Sequence, residues 1–460
     1  MVHLKKILTL CTLLAGIAGN TQEENEVPNS FWLQEGYSRA LAITDSNYVY
    51  YNLDNVSCKA LVKGNFTDRF SVISATDNQL VLNPGGIVNY NFNRVDALPS
   101  ICQKPDEKNT SIEKNFQVFW LTFSDNYAFF RERNINWQQV YSDYLPQVRK
   151  LKTEQEFALL LQEIVRKFND GHIRLEIPQA LIPKKDIANT VKSKQEIISD
   201  LQNTYVDNVK TYNGGVIQWG FLKNSKTGYI TVSDMNNFAY YVPKSEQASK
   251  DFRKQYEAVS ETKAPLVMLK DELMGVDNIM KVILDAFKDT ESVVIDLRFN
   301  GGGYETVALK LLGYFVTEQK DILSVKAKTK LGFSIGQHYN LLPAKDPYRK
   351  KVYLLTGHNT ASAAEIFALG ALSYPEIIRI GSPTAGIFSE LLWKELPNGW
   401  EFSLSNEVYS DSKGQSYEGI GIPVKHDMHY PKDRAEFYDG FYNTAGFVDK
   451  ALEKIYSLEK

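Results

Sequence analysis

Twelve residues constrain the fold of this chain more than any others: Ser292-Val293-Val294-Ile295-Asp296-Leu297-Arg298-Phe299-Asn300-Gly301-Gly302-Gly303, an apolar run ending in three glycines. A run of that composition reads as a buried strand. Glycines directly after it turn tightly and leave N–H groups free to face a negatively charged oxygen. About sixty positions later, Thr360-Ala361-Ser362-Ala363-Ala364-Glu365-Ile366-Phe367 presents one serine at the expected start of a helix. Unpaired N–H groups and the helix dipole favour developing anionic charge there. A nucleophile beside oxyanion donors is what acyl transfer requires. A plainer account exists for each motif. Ser362 through Glu365 is a capping box, with serine as N-cap and glutamate at N3. The glycines could form only a tight turn; no Gly-Lys-Ser/Thr follows them and the Rossmann spacing is absent, which excludes a nucleotide-phosphate loop.

Around these motifs strands and helices alternate. Gly228–Val232 and Ser292–Arg298 read as strands, with a helix over Asn278–Phe287 between them. Helix Glu305–Phe315, strand Lys351–Leu355, helix Ala363–Leu372 and strand Ile377–Ile380 follow. Such alternation predicts βαβ units on a largely parallel sheet, over a core spanning 216–460. Pro397-Asn398-Gly399 reads as a hairpin turn. Upstream, 30–104 carries short β-rich runs punctuated by Asn, Asp and Gly, as at Asn83-Pro84-Gly85-Gly86. That predicts a small all-β accessory domain, which offers no titratable cluster and is read as a docking module for some partner. Residues 112–176 form a helical subdomain: Phe157, Leu160, Leu161, Ile164 and Phe168 share one face and lead into Asn169-Asp170-Gly171-His172. A charged connecting segment, 177–215, joins it to the core.

The N-terminus reads as an export signal over 1–19. Lys5 and Lys6 precede the apolar run Ile7–Ala18, with Gly16, Ala18 and Gly19 as small residues for cleavage. An uncleaved anchor is the alternative, although the run is short for a membrane span. Leu10 before Cys11 argues against a lipoprotein anchor, and no other stretch is long and apolar enough for the bilayer. An exported chain places Cys58 and Cys102 in an oxidising compartment. There they form either one disulfide, worth roughly 4 kcal/mol on the chain-entropy model, or two separate buried thiols. A net charge of −3 without a basic run gives no reason to expect nucleic acid.

Four ordered motifs resemble the C-terminal-processing and tricorn-core serine peptidases, a family that includes the tail-specific proteases. They are Asp170-Gly171-His172, Asp296-Leu297-Arg298-x-Asn300-x-Gly302-Gly303, Thr360-Ala361-Ser362-Ala363-x-Glu365 and Tyr417-Glu418-Gly419-Ile420-Gly421-Ile422-Pro423. The resemblance runs from about Asn115 to near the C-terminus and leaves out the first hundred residues. It implies an α/β core of the ClpP/crotonase-like spiral type, a peptide or protein substrate and no cofactor. It also implies Ser362 as nucleophile, and an oxyanion hole from the N–H of Gly302 or Gly303 together with that of Ala363. The peptide-binding module that many members carry before the core does not fit the available length.

The base separates two branches of the family. The tail-specific branch uses a lysine after the glycine of a Thr-x-Gly-Lys segment, but this chain reads Thr384-Ala385-Gly386-Ile387. The tricorn-like branch uses the histidine of the upstream motif, here His172, and Glu418 matches the carboxylate that orients it. That branch also places a serine before the histidine, where this chain has Gly171. Lys394 reads as an outward-facing strand residue, His358 is a rival base by proximity, and His426 and His429 read as surface residues. The expectation is therefore an exported serine endopeptidase with a Ser362–His172–Glu418 triad. The alternatives are a ligand- or peptide-binding protein with a vestigial site, or a crotonase-type acyl-thioester enzyme that keeps the glycine turn without needing Ser362 or His172.

Overall fold

The computed structural model describes residues 29–103, 110–182, 193–441 and 448–460; the export signal expected over 1–19 lies outside them. The chain opens with a seven-stranded antiparallel sheet built from β1 (Ser30–Gln34), β2 (Arg39–Thr44), β3 (Asn47–Leu53), β4 (Cys58–Asn65), β5 (Ser71–Ala75), β6 (Gln79–Asn83) and β7 (Tyr90–Val95), in the order β4-β3-β2-β1-β7-β6-β5. One face is apolar, with Trp32, Leu41, Tyr48, Tyr50, Phe70, Leu80 and Phe92 packed together. The turn after β6 forms where expected: Asn83 Oδ1 accepts the Gly85 N–H at 2.7 Å, and Gly85 adopts φ +100°. A short helical turn, α1 (Ser100–Gln103), brings Cys102 to Cys58 at the start of β4, and the two form a disulfide with a Cα–Cα distance of 5.0 Å.

Three amphipathic helices follow: α2 (Ile112–Asn126), α3 (Trp137–Val148) and α4 (Glu154–Arg166). A full capping box, Thr153 with Glu156, starts α4. Their buried faces make an aromatic core of Phe119, Phe123, Tyr127, Trp137 and Phe168, which extends to Phe402 of the α/β core. After α4 the chain makes β8 (Leu175–Glu176), then α5 (Lys194–Tyr205) and β9 (Val206–Tyr212).

The core sheet runs β21-β17-β16-β12-β11-β10-β9. Its strands include β10 (Ile217–Leu222), β11 (Thr227–Val232), β12 (Ser292–Asp296), β16 (Lys351–Thr356), β17 (Ile377–Gly381) and β21 (His426–Asp427). From β11 to β21 every pairing is parallel, whereas β9–β10–β11 is an antiparallel meander. The sheet is thus mixed, and it begins at Val206, ahead of the expected start of the core. Apolar residues of α5 (Ile197, Ile198, Leu201) pack on one face with those of the C-terminal helix α11 (Lys450–Leu458), so this part of the connecting segment belongs to the core.

The opposite face is covered by α7 (Pro265–Ala286), α8 (Glu305–Gly313) and α9 (Ala363–Ala371). Helix α7 starts well before the expected Asn278, because Pro265 serves at the first helical position. A shorter helix, α6 (Phe252–Ser260), precedes it, and α10 (Arg434–Gly440) lies near the C-terminus. Every residue of β12 is buried, as its uninterrupted apolar run requires.

Two smaller sheets join the units. One contains β13 (Lys320–Thr329), β14 (Gly332–Phe333), β15 (Gln337–Leu341) and β20 (Glu407–Asp411). The other pairs β8 with β19 (Glu401–Ser405) and β19 with β18 (Leu391–Glu395), the last two joined by the expected turn, where Gly399 adopts φ +90°. Lys394 of β18 departs from its outward-facing reading. It is 4% exposed, and its Nζ donates to the Tyr37 and Ser38 carbonyls of the β module at 2.7 and 2.9 Å.

Candidate active site

Ser362 sits at the N-terminus of α9 with φ 55° and ψ −127°. A serine held in the left-handed region costs about 1–3 kcal/mol, which the surroundings must supply. Its hydroxyl makes no capping bond, so the capping-box account of this motif does not hold. Glu365 is turned away to the segment 384–389. Its carboxylate accepts the N–H groups of Gly386 and Ile387, both at 2.7 Å. Ile387 in turn offers its carbonyl to the Ser362 N–H at 3.1 Å, and the Ala385 N–H donates to Thr360 at 2.9 Å. Complete burial raises Glu365 to about 7, against the pull of these N–H donors toward the ionised form.

The glycine turn is shaped by Asn300. Its Nδ2 donates to Val232 at 3.0 Å, its Oδ1 accepts the Gly302 N–H at 2.8 Å, and its carbonyl accepts the Ala361 N–H at 3.1 Å. One residue therefore ties the glycine turn to the serine turn. A Cβ on Gly302 would stand 2.6 Å from Ser362 Cβ and 3.1 Å from its Oγ, so only glycine permits this approach at φ +113°. Gly303 is set by Met235, whose N–H donates to the Gly302 carbonyl at 2.8 Å and whose carbonyl accepts the Tyr304 N–H at 2.9 Å. The Gly302 N–H is taken by Asn300, whereas no hydrogen bond among the described residues engages the N–H groups of Gly303 and Ala363.

Below the turn, the fully buried Arg298 is bound by Asp296 at 2.6 Å and Asp449 at 2.8 Å. Asp449 also caps α11. Asp296 and Arg298 are thus the footing of the glycine turn, locking the strand end to the C-terminal helix.

His172 lies on the loop between α4 and β8. Its N–H donates to Asp170 Oδ1 at 2.9 Å, and its carbonyl accepts the Ser403 hydroxyl at 2.7 Å. Asp170 is itself held by the Tyr127 hydroxyl at 3.0 Å. Burial drives the His172 ring down to about 4, opposed by the Asp170 carboxylate and the Ser389 backbone. The buried Nδ1 has no hydrogen-bond partner among the described residues.

Glu418 accepts from Arg133 at 2.9 Å through Oε1 and from the Phe388 N–H at 3.0 Å through Oε2. Burial, and next the negative charge of Asp170, raise it to about 8, while Phe388 and Arg133 oppose the rise. No hydrogen bond among the described residues joins the His172 ring to Ser362 or Glu418. The loops are nevertheless adjacent: a Cβ on Gly171 would stand 2.6 Å from Ile387 Cδ1, and Ile387 is the residue whose carbonyl holds Ser362.

No hydrogen bond among the described residues joins the other candidate bases to Ser362. Lys394 is spent on the β module. His358 sits with Lys432 and Asp427, its pKa lowered chiefly by burial. His429 is exposed beside Asp427 at 3.3 Å. Among the described residues no His, Cys, Asp and Glu side chains group as metal ligands.

Comparison with known proteins bears on both halves of this arrangement. The model of peptidase family S41 matches residues 226–428, a span that includes the glycine turn, Ser362 and Glu418. Over this span, a little under half of its length, the chain is similar to peptidase family S41. The Tricorn protease C1 domain model matches residues 109–166, which hold the helices α2 to α4. The tail-specific protease of Haemophilus influenzae is 27% identical over 133 residues, which is 28% of this chain and only 18% of that protein's length. A putative peptidase from Parabacteroides merdae shares the fold, with a TM-score of 0.57 at 19% identity over 76% of this chain and 97% of the other. A lipoprotein from Streptococcus agalactiae aligns with a TM-score of 0.45 at 16% identity, over 79% and 98% of the two chains.

Three contributors have roles that the sequence does not mark. Arg133 comes from the helical subdomain, with nothing in its own segment to single it out. Glu365 has the spacing of a helix cap. Asn300 stands in the motif without an evident task, although an Asn before a glycine turn is a recurrent turn-shaping residue that could have signalled it.

Proposed function

We propose that this protein is an exported serine endopeptidase in which Ser362 is the nucleophile, His172 the base and Glu418 the carboxylate that orients it. The observation that carries the reading is Ser362 itself: a serine in left-handed backbone, its hydroxyl uncapped and pressed against Gly302, at the start of a helix. Strain of this kind is kept where the surroundings enforce it for a purpose. Ser362 Oγ attacks the peptide carbonyl while His172 takes its proton and later returns it to the leaving amine. The N–H groups of Gly303 and Ala363 receive the oxyanion, the Gly302 N–H being already engaged. Closing the triad requires the His172 ring to turn its free Nδ1 to Glu418, a tightening that substrate commonly induces. We read the core as the ClpP/crotonase-like spiral and the β module as an accessory unit.

The test is Ser362→Ala. The variant should lose both hydrolysis of peptide substrates and labelling by a fluorophosphonate probe, with an unchanged circular dichroism spectrum. Undiminished labelling would remove Ser362 as nucleophile. Absence of labelling in the wild-type protein would return the fold to a binding or acyl-thioester role.

A further inference from the structure

The carboxylate assigned to orient the base is bound by a cation from another subdomain. Arg133 follows α2, is 10% exposed at its side chain, and divides its guanidinium between two loops. Nη2 donates to Glu418 at 2.9 Å, and Nη1 donates to the Asn169 carbonyl at 2.7 Å, three residues before His172. The guanidinium also lies over Gly419, where an added Cβ would sit 3.7 Å from Cζ. We propose that Arg133 is a positioning residue that favours the ionised form of Glu418 and holds the Glu418 loop in register with the His172 loop. This rests on the triad reading above and adds to it a residue from the helical subdomain.

The surroundings explain why a cation is needed. Asp170 faces Glu418 from the histidine loop, itself bound to Tyr127 from the end of α2. Glu365 adds negative charge from α9, and the Phe388 N–H reaches Glu418 from the segment 384–389. Arg174 is the other cation beside His172, and it disfavours the protonated ring. Arg133 is the one cation among the described residues that is paired with Glu418. A buried carboxylate between two others takes up a proton unless a positive charge opposes it. Protonated Glu418 cannot stabilise an imidazolium, so loss of Arg133 would disable the base through its partner. The fork matters as well as the charge, since a lysine cannot serve both acceptors with one fixed geometry.

The experiment is kcat/KM against pH for Arg133→Gln, Arg133→Lys and Arg133→Ala, the last with and without guanidinium in trans. Arg133→Gln should be at least tenfold slower than wild type at neutral pH. Its rising limb should lie about one pH unit or more to the alkaline side, so that activity partly recovers there. Arg133→Lys should keep the wild-type limb at a reduced plateau, and guanidinium should restore activity to Arg133→Ala. A loss in Arg133→Gln that is uniform across pH would overturn the proposal, leaving Arg133 a structural tie. If Arg133→Gln does not fold, a displaced limb in Arg133→Lys or failure of guanidinium rescue overturns it instead. The underlying triad is tested apart: His172→Ala at wild-type rates defeats that reading whatever Arg133 does. An inactive His172→Ala with unshifted Arg133 limbs defeats this inference alone.

Discussion

At the scale of single residues, burial sets the chemistry more than residue type does. An unperturbed imidazole would give a limb in the pH profile at about 6–7. Here burial takes His172 down to about 4, whereas Glu418 is raised to about 8. In the proposed triad the active form needs His172 neutral and Glu418 ionised, and the later of the two deprotonations governs. We therefore expect kcat/KM to rise with pH and level off only above about 8, with no separate limb at 6–7. Glu418→Gln should abolish that limb and leave a slower enzyme whose activity falls only as pH drops toward about 4. A wild-type limb at 6–7 that survives in Glu418→Gln would show an imidazole unshifted by its burial.

At the scale of elements, the candidate active site is three turns held by side chains from one another. Asn300 ties the glycine turn to the serine turn, and Glu365 ties α9 to the segment that bears Ile387. Glu365→Gln leaves one acceptor oxygen for two N–H groups, and orphaning one buried donor costs about 1–3 kcal/mol. The measured change in urea-unfolding stability should fall in that range, with kcat/KM reduced because Ile387 positions the Ser362 backbone. The sign with pH follows from a folded value of about 7 against an ordinary 4.5. Glu365 binds its proton more tightly when folded, so its contribution to stability is complete below about 4.5 and is lost as pH rises to about 7. Stability should be less pH-dependent over that window in Glu365→Gln than in wild type. An equal slope in both proteins would place the titration elsewhere.

At the scale of the molecule, the β module is docked on the core through buried polar groups. Lys394 reaches the Tyr37 and Ser38 carbonyls, Glu305 accepts the Ile87 N–H at 2.7 Å, and Gln337 exchanges two hydrogen bonds with the Asn89 backbone. Burial holds Lys394 well below the ordinary lysine range, with the charge of Arg39 adding to the effect. Lys394→Ala orphans two carbonyls at the seam, each worth about 1–3 kcal/mol. We expect faster amide exchange over 30–95 with kcat/KM little changed. A folded but inactive Lys394→Ala would revive a displaced serine–lysine dyad.

Local pattern alone makes much of this molecule legible. The apolar run of β12, the amphipathic α4 and the turns at Gly85 and Gly399 follow from periodicity and backbone sterics, which act over a few residues. Ser362, the glycine turn, His172 and Glu418 stand out because their motifs are compact in sequence. What only the tertiary structure decided is who holds whom. The sequence cannot show that Glu365 faces Gly386 instead of its own helix end, that Lys394 points inward, or that Arg133 reaches Glu418 from 285 residues away. It also leaves open that β9 extends the core sheet, since an exposed edge strand has a weak alternating pattern. Such contacts join groups distant along the chain, and their energies depend on burial and neighbouring charge, which exist only once the chain has folded.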